Sequence, residues 1–247
     1  MSFFYPARSE IGAELASGRG WDRMLRPILA EHVGDENDLV VDVGANLGGS
    51  LVEMRLGAPA ARFVCLEPSR RFASALRRTV RANGWRNVRV LRVAAGAANE
   101  RRTLYVNPTT ASVVAAGYGE RTPIGAERVE VRKLDDLLGD DGPVAFLKSD
   151  TDGFDLDVLL GAKQTIARDR PALFFELDPG LLAWGGQEAE KLVTFLEDFG
   201  YGQLRAFAPG GVDLGSVARA DELPALARTH GHLNVLAVAG RVSVAVP

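Results

Sequence analysis

The chain predicts an α/β domain built on a parallel sheet, and three observations carry that expectation. From Leu39 onward, short apolar runs alternate with longer amphipathic ones, which is the pattern of βαβ units. The first run, Leu39-Val-Val-Asp-Val43, breaks into Gly-Ala-Asn-Leu-Gly-Gly-Ser50, a strand-to-turn-to-helix passage of the kind whose backbone N–H groups meet a ligand. The second run ends on Leu66-Glu67, so a carboxylate able to hold a ribose diol stands one strand away from that turn.

The elements follow in order. Residues 1–37 read as a helical lead-in, because Ile11, Leu15, Trp21, Leu25, Ile28 and Leu29 recur at rough helical spacing. It is expected to pack against the domain or to join a second copy in a homo-oligomer, and it carries no evident chemistry. Residues 38–247 form the main domain. Its strands are expected at 39–43, 62–66, 88–93, 144–149 and 172–177, with helices between. A helix near 69–83 sets Phe72, Leu76, Thr79 and Val80 on one face and leaves Arg70, Arg71, Arg77, Arg78 and Arg81 mostly off it, as a solvated surface. Between the third and fourth strands, Arg102–Val106 and Arg128–Arg132 alternate at period two, which predicts a β excursion capped by a mobile loop over 107–127. A helix near 186–199, an apolar run at 202–207 and a last strand at 233–239 complete the chain, with 208–231 read as a loop.

Composition narrows the partners. At 247 residues the chain is 47% hydrophobic and 25% charged, with a formal charge of -3 and a pI near 5.7. That balance supplies no general attraction for nucleic acid or an anionic membrane, so the expected partner is a small molecule. The single cysteine, Cys65, lies inside an apolar run and reads as a core residue of a reducing compartment. The N-terminus lacks a signal-peptide pattern, and no apolar run is long enough to span a bilayer. A cytoplasmic location follows.

Two residues separate the glycine turn from a dinucleotide site. Asp42 stands two positions before the first glycine, and Asn46 occupies the place of the second glycine in G-x-G-x-x-G. A carboxylate there repels a pyrophosphate and attracts a cation. S-adenosylmethionine, with its sulfonium and ammonium and no phosphate, fits that charge. Asp42 with Gly44, Ala45, Asn46 and Gly48 is assigned to the methionine end, Glu67 with Pro68 to the ribose, and the backbone of Ala94 and Ala95 to the adenine edge.

A second constellation lies at Val144-Ala-Phe-Leu-Lys-Ser-Asp150, followed by Asp152, Asp155 and Asp157. Asp150 ends a central strand, the edge at which open parallel sheets bind ligands, and is expected to face the cofactor pocket as a cofactor-binding residue. Asp155 and Asp157 read as first-turn acids complementing a helix dipole, worth about 0.3 to 1 kcal/mol each. Asp150, Asp152, Glu176 and Asp178 offer oxygen donors for a divalent cation. Gly153 does not fit the calcium-loop spacing, however, and no His is interleaved, so a metal is not the favoured reading.

The order Val-Val-Asp-Val-Gly-Ala-Asn-Leu-Gly (40–48), Leu66-Glu67-Pro68, Lys133-Leu-Asp-Asp-Leu137, Leu147-Lys-Ser-Asp150, Asp152-Gly153, Val158-Leu-Leu-Gly-Ala162 and Phe174-Phe-Glu176 resembles the FkbM-type family of S-adenosylmethionine-dependent methyltransferases over residues 38–240. The resemblance implies a class I methyltransferase, Rossmann-like fold: a seven-stranded, mostly parallel sheet with an antiparallel last strand and helices on both faces. It also implies O-methylation of a hydroxyl on a small molecule or glycan. The family's Glu-Gly-x-Glu is Asp152-Gly-Phe-Asp155 here, one methylene shorter at each acid. Transfer to an alcohol needs a proton acceptor. Asp150 is the first candidate, Glu176 the second, with His230 and His232 in reserve at the start of the last strand. An NAD-linked oxidoreductase and a non-catalytic cofactor-binding partner protein are the competing readings.

Overall fold

The structure, a computed structural model, describes residues 1–4, 22–107, 110–113, 123–139 and 141–240. Helix α1 (Leu25–His32) leads into β1 (Leu39–Val43), α2 (Gly49–Gly57), β2 (Arg62–Leu66), α3 (Arg70–Ala82) and β3 (Val88–Leu91). Four short or peripheral strands follow: β4 (Ala94–Ala95), β5 (Glu100–Val106), β6 (Ala111–Ser112) and β7 (Gly125–Arg132). Then come α4 (Leu134–Leu138), β8 (Val144–Ser149), α5 (Asp155–Leu160), α6 (Lys163–Asp169), β9 (Ala172–Leu177), α7 (Pro179–Trp184) and α8 (Ala189–Asp198). The last elements are β10 (Gln203–Ala208), β11 (Val212–Val217), α9 (Leu223–His230) and β12 (Leu233–Val238).

The main sheet has eight strands in the order β11-β10-β12-β9-β8-β1-β2-β3. Strands β1, β2, β3, β8 and β9 pair in parallel, and β12 runs antiparallel to both β9 and β10. The antiparallel last strand is as expected. The count of seven is corrected by β11, which doubles back on β10 as an extra edge. The chain leaves β1 first toward β2 and β3 and later, through β8 and β9, on the other side, so the carboxyl ends of β1 and β8 flank a crevice at the switch in direction.

Alternation along the strands divides the core in two. Val40, Phe63, Cys65, Phe146, Phe174 and Leu236 pack with Leu25 and Leu29 of α1, Leu51 and Met54 of α2, and Leu76 and Val80 of α3. The opposite face gathers Val41, Val43, Leu66, Leu147, Leu173 and Phe175 against Leu134, Leu156, Ile166, Leu192, Leu196 and Leu223. Helices therefore cover both faces, and the central strands are buried throughout, as parallel sheets require. On α3, Phe72, Leu76, Thr79 and Val80 are buried, the apolar members contributing about 1.5 to 3 kcal/mol each. Arg70, Arg71, Arg78 and Arg81 are exposed, while Arg77 lies partly covered and donates to the Val90 carbonyl at 3.2 Å.

The predicted β excursion is real but larger than its two strands. Strands β5 and β7 pair antiparallel from Glu100↔Val131 to Val106↔Gly125, with β4 and β6 on the flanks. The loop expected at 208–231 is corrected as well, since it contains β11 and α9. Leu156, Leu159 and Leu160 belong to α5 and Ile166 to α6, the two being broken at Gly161, where an added Cβ would sit 2.1 Å from the Gly96 carbonyl oxygen. Of the lead-in, α1 packs on the sheet. Ile11, Leu15 and Trp21 lie outside the described residues, as does most of the loop at 107–127. No described helix is long and apolar enough to cross a membrane.

Candidate active site

Three residues in the left-handed region shape the turn after β1: Gly44 (φ +76°), Asn46 (φ +48°) and Gly48 (φ +93°). At Gly44 the demand is absolute, because a Cβ would fall 1.9 Å from the Asp150 carbonyl oxygen. The Gly44 and Ala45 N–H groups donate to the Leu66 carbonyl at 3.0 Å each. Asp150 N–H in turn donates to the Val43 carbonyl at 3.1 Å, so the exits of β1, β2 and β8 are joined.

This junction floors a cleft of about 600 Å³. Its walls include Gly44, Ala45 and Asn46 from the first turn, Glu67 and Pro68 after β2, and Ala94 and Ala95 of β4. Asp150, Glu176 and His232 also line it. The residues assigned from the sequence to one site are thus brought together, with three exceptions. Gly48 shapes the turn behind the wall. His230 is exposed at the end of α9 and does not reach the cleft. Asp42 stands beneath the floor.

Asp42 is fully buried and faces Lys148, whose Nζ lies 3.2 Å from Asp42 Oδ1, and Ser50 Oγ donates to Asp42 Oδ2 at 2.8 Å. Burial pushes the Asp42 carboxyl up, and Lys148 and Ser50 pull against it. For Lys148, 2% exposed, burial opposes the charge but Asp42 and Asp150 outweigh it, so the ammonium is held above its ordinary value. The attraction read from Asp42 alone is therefore matched from inside the protein. Lys148 Nζ also lies 3.5 Å from Asp150 Oδ2, which ties the half-exposed Asp150 to the floor.

Glu67 accepts hydrogen bonds from Asn46 N–H at 2.9 Å and Ser69 N–H at 2.8 Å. Burial pushes its carboxyl up to about 8, against the pull of those two N–H groups. The shape of the turn and the position of Glu67 are thus one device: Asn46 adopts its left-handed backbone with its N–H aimed at the acid of the neighbouring strand.

Asp150, Asp152 and Glu176 gather at the other end. Parallel pairing of Ser149 with Phe175 puts Asp150 and Glu176 side by side, and one carboxylate oxygen from each of the three lies within 4.8 Å of the others. Burial, then Asp150, Asp155 and Asp152, push Glu176 well above the usual carboxylate range. His232 Nε2 is 3.9 Å from Glu176 Oε1. Asp155 is not a solvated dipole partner: it is 1% exposed, accepts from Ser149 Oγ at 2.6 Å and Thr151 N–H at 3.2 Å, and burial lifts it to about 6. Asp157 accepts from Gln187 Nε2 at 3.1 Å. Asp178 is the N-cap of α7, its Oδ1 accepting from Gly180 and Leu181 N–H, and stands apart from the acid trio.

Several lining residues carried no readable signal. Phe154, Leu104 and Val113 form an apolar wall beside Ala94 and Ala95, and Gly210, Gly211 and Asn234 border the acid end. Asp22, just before α1, reaches the cleft near Glu53 and Lys148, and burial raises its carboxyl to about 6 while Lys148 pulls it down. Trp85 and Trp184 do not line the cleft. Trp85 carries the Arg55 guanidinium 4.9 Å above its ring, and Trp184 is largely exposed.

The chain is similar to a crystal structure of methyltransferase FkbM from Methylobacillus flagellatus KT, with a TM-score of 0.54 and 17% identity. That match covers 82% of this chain but only 44% of the other, so the chain spans less than half of that protein's length. A precorrin-6y C5,15-methyltransferase from Geobacter metallireducens GS-15 aligns with a TM-score of 0.46 and 13% identity over 87% of each chain. No curated protein matches the chain. Residues 42–202, from the acid of β1 to the turn before β10 and including Glu67, Asp150 and Glu176, match the methyltransferase FkbM domain. With more than half its length inside that match, the chain belongs to the FkbM methyltransferase family.

Proposed function

We propose that the protein is an S-adenosylmethionine-dependent O-methyltransferase acting on a hydroxyl of a small molecule, of the sugar-containing or secondary-metabolite kind. The observation that carries this reading is a cleft with a glycine turn and Glu67 at one end and a cluster of acids at the other. The turn fits the cofactor on a structural ground: the Asp150 carbonyl packs where a Gly44 side chain would stand, so the glycine turn and Asp150 line one cleft. Asn46 and Ala45 would border the methionine end and Glu67 would take the ribose hydroxyls. Val93, Ala94, Ala95 and Phe154 would cover the adenine, with Asp42 and Lys148 stiffening the floor. When bound, S-adenosylmethionine supplies a methyl group already activated as part of a sulfonium.

The protein's own task is then alignment and proton removal. Holding an acceptor oxygen in line with the methyl carbon supplies much of the acceleration. Asp150, fixed from below by Lys148 and 41% exposed at its side chain, takes the hydroxyl proton. Glu176, pushed upward by burial, is a hydrogen-bond partner for a second acceptor oxygen. Assay with isotopically labelled donor across pools of hydroxylated metabolites tests the reaction. Asp150→Asn should keep donor affinity and lower turnover by about a hundredfold, and full turnover in that variant would remove Asp150 from the role.

A further inference from the structure

We propose that Asp150, Asp152 and Glu176 form a site for one divalent cation, magnesium or manganese, at the acceptor end of the cleft. The inference deepens the proposed methyl-transfer reading and rests on it for the cation's use, though not for its binding. One oxygen from each carboxylate lies within 4.8 Å of the other two. Around a single magnesium-sized ion with ligands at about 2.1 Å, oxygens stand about 3 Å apart when adjacent and about 4.2 Å apart when opposite. The trio is therefore close to the scale of one coordination sphere.

A second observation points independently to a cation at this end. Glu176 Oε2 is sealed from solvent and accepts no hydrogen bond, an expensive state for a carboxylate oxygen. Among the described residues, no Lys or Arg pairs with Glu176, and His232 Nε2 stays at 3.9 Å. The nearest buried ammonium, Lys148, is already shared between Asp42 and Asp150. Among the described residues, no cation therefore reaches Glu176 Oε2. An all-oxygen donor set selects hard cations over zinc or copper. Asp178 caps α7 through its Oδ1 and is not part of the trio, so three carboxylates would leave coordination positions open to water or to an acceptor oxygen.

The test is a titration of the metal-stripped full chain with manganese, read by the electron paramagnetic resonance signal of the free ion. One saturable site per chain is expected, weakened about tenfold or more in both Glu176→Gln and Asp152→Asn. Affinity for S-adenosylhomocysteine, measured by calorimetry in chelator, serves as the control that both variants are folded. Absence of saturable manganese binding to the unmodified chain, or binding unchanged in both variants, would overturn the site. A chain that binds the homocysteine analogue and no manganese loses the metal site alone. A chain that binds manganese and no analogue loses the methyl-donor reading alone.

Discussion

The Asp42–Lys148 pair is the costliest feature of the floor to disturb, and its removal can be worked through from distances. Lys148→Met keeps most of the side-chain volume and deletes the ammonium 3.2 Å from Asp42 Oδ1. At an effective dielectric near 20, the lost attraction is about 5 kcal/mol. Asp42, fully buried, can then escape only by taking a proton. From an ordinary carboxylate value near 3.9, proton uptake costs about 4 kcal/mol at pH 7 and about 1.5 kcal/mol at pH 5, which caps the damage at each pH. The sign follows: in the variant the folded-state value of Asp42 lies above the unfolded one, so the deficit grows as pH rises. Urea unfolding of the variant against the parent chain should give a loss of about 3 to 4 kcal/mol at pH 7, shrinking to about 1.5 kcal/mol at pH 5. A loss below about 1 kcal/mol at pH 7, or the same loss at both pH values, would refute the reasoning.

Other consequences of the site are open to measurement. Gly44→Ala should lower stability by at least about 2 kcal/mol, since the new methyl meets the Asp150 carbonyl at 1.9 Å from a φ of +76°; an unchanged melting curve would count against the packed junction of β1 and β8. Glu67→Ala should weaken binding of the methyl donor by about 1 to 3 kcal/mol, read by calorimetry, and unaltered affinity would take the ribose role from Glu67. Burial raises Asp22 and Asp155 to about 6 and Glu67 to about 8, so the folded state holds more protons than the unfolded one between ordinary carboxylate values and pH 8. Thermal stability of the ligand-free chain should therefore fall as pH rises from 5 to 8, and a rise across that range would show that these carboxyls are not buried as described.

The central strands were legible because parallel strands buried on both faces read as mainly apolar runs with single charged residues: Leu39–Val43, Arg62–Leu66, Val144–Ser149 and Ala172–Leu177 have the expected bounds. Strand β11 was not legible. Its Val212-Asp-Leu-Gly-Ser-Val217 is a half-exposed edge with Gly215 at φ +84°, so neither hydrophobicity nor alternation marks it. Helix α9 hid behind Pro224, which reads as a loop signal although proline is tolerated in a first turn. The glycine turn and Glu67 were readable as a pair because local spacing carries them. The pairing of Asp42 with Lys148 was not readable as geometry, because it depends on the register of β1 against β8 across a hundred residues of intervening chain. The same holds for the cleft contacts of Asp22, Gly210 and Asn234, which tertiary packing alone brings in. The two active-site histidines of the sequence reading divide for a simple reason: His232 directly precedes β12, facing Glu176, while His230 ends a helix on the surface.

The account stands most directly on what the cleft binds. Calorimetric titration of the full chain with S-adenosylmethionine, S-adenosylhomocysteine and NAD is expected to give saturable binding of both sulfur compounds and none of the dinucleotide. Measurable binding of NAD with no heat from either sulfur compound would contradict it.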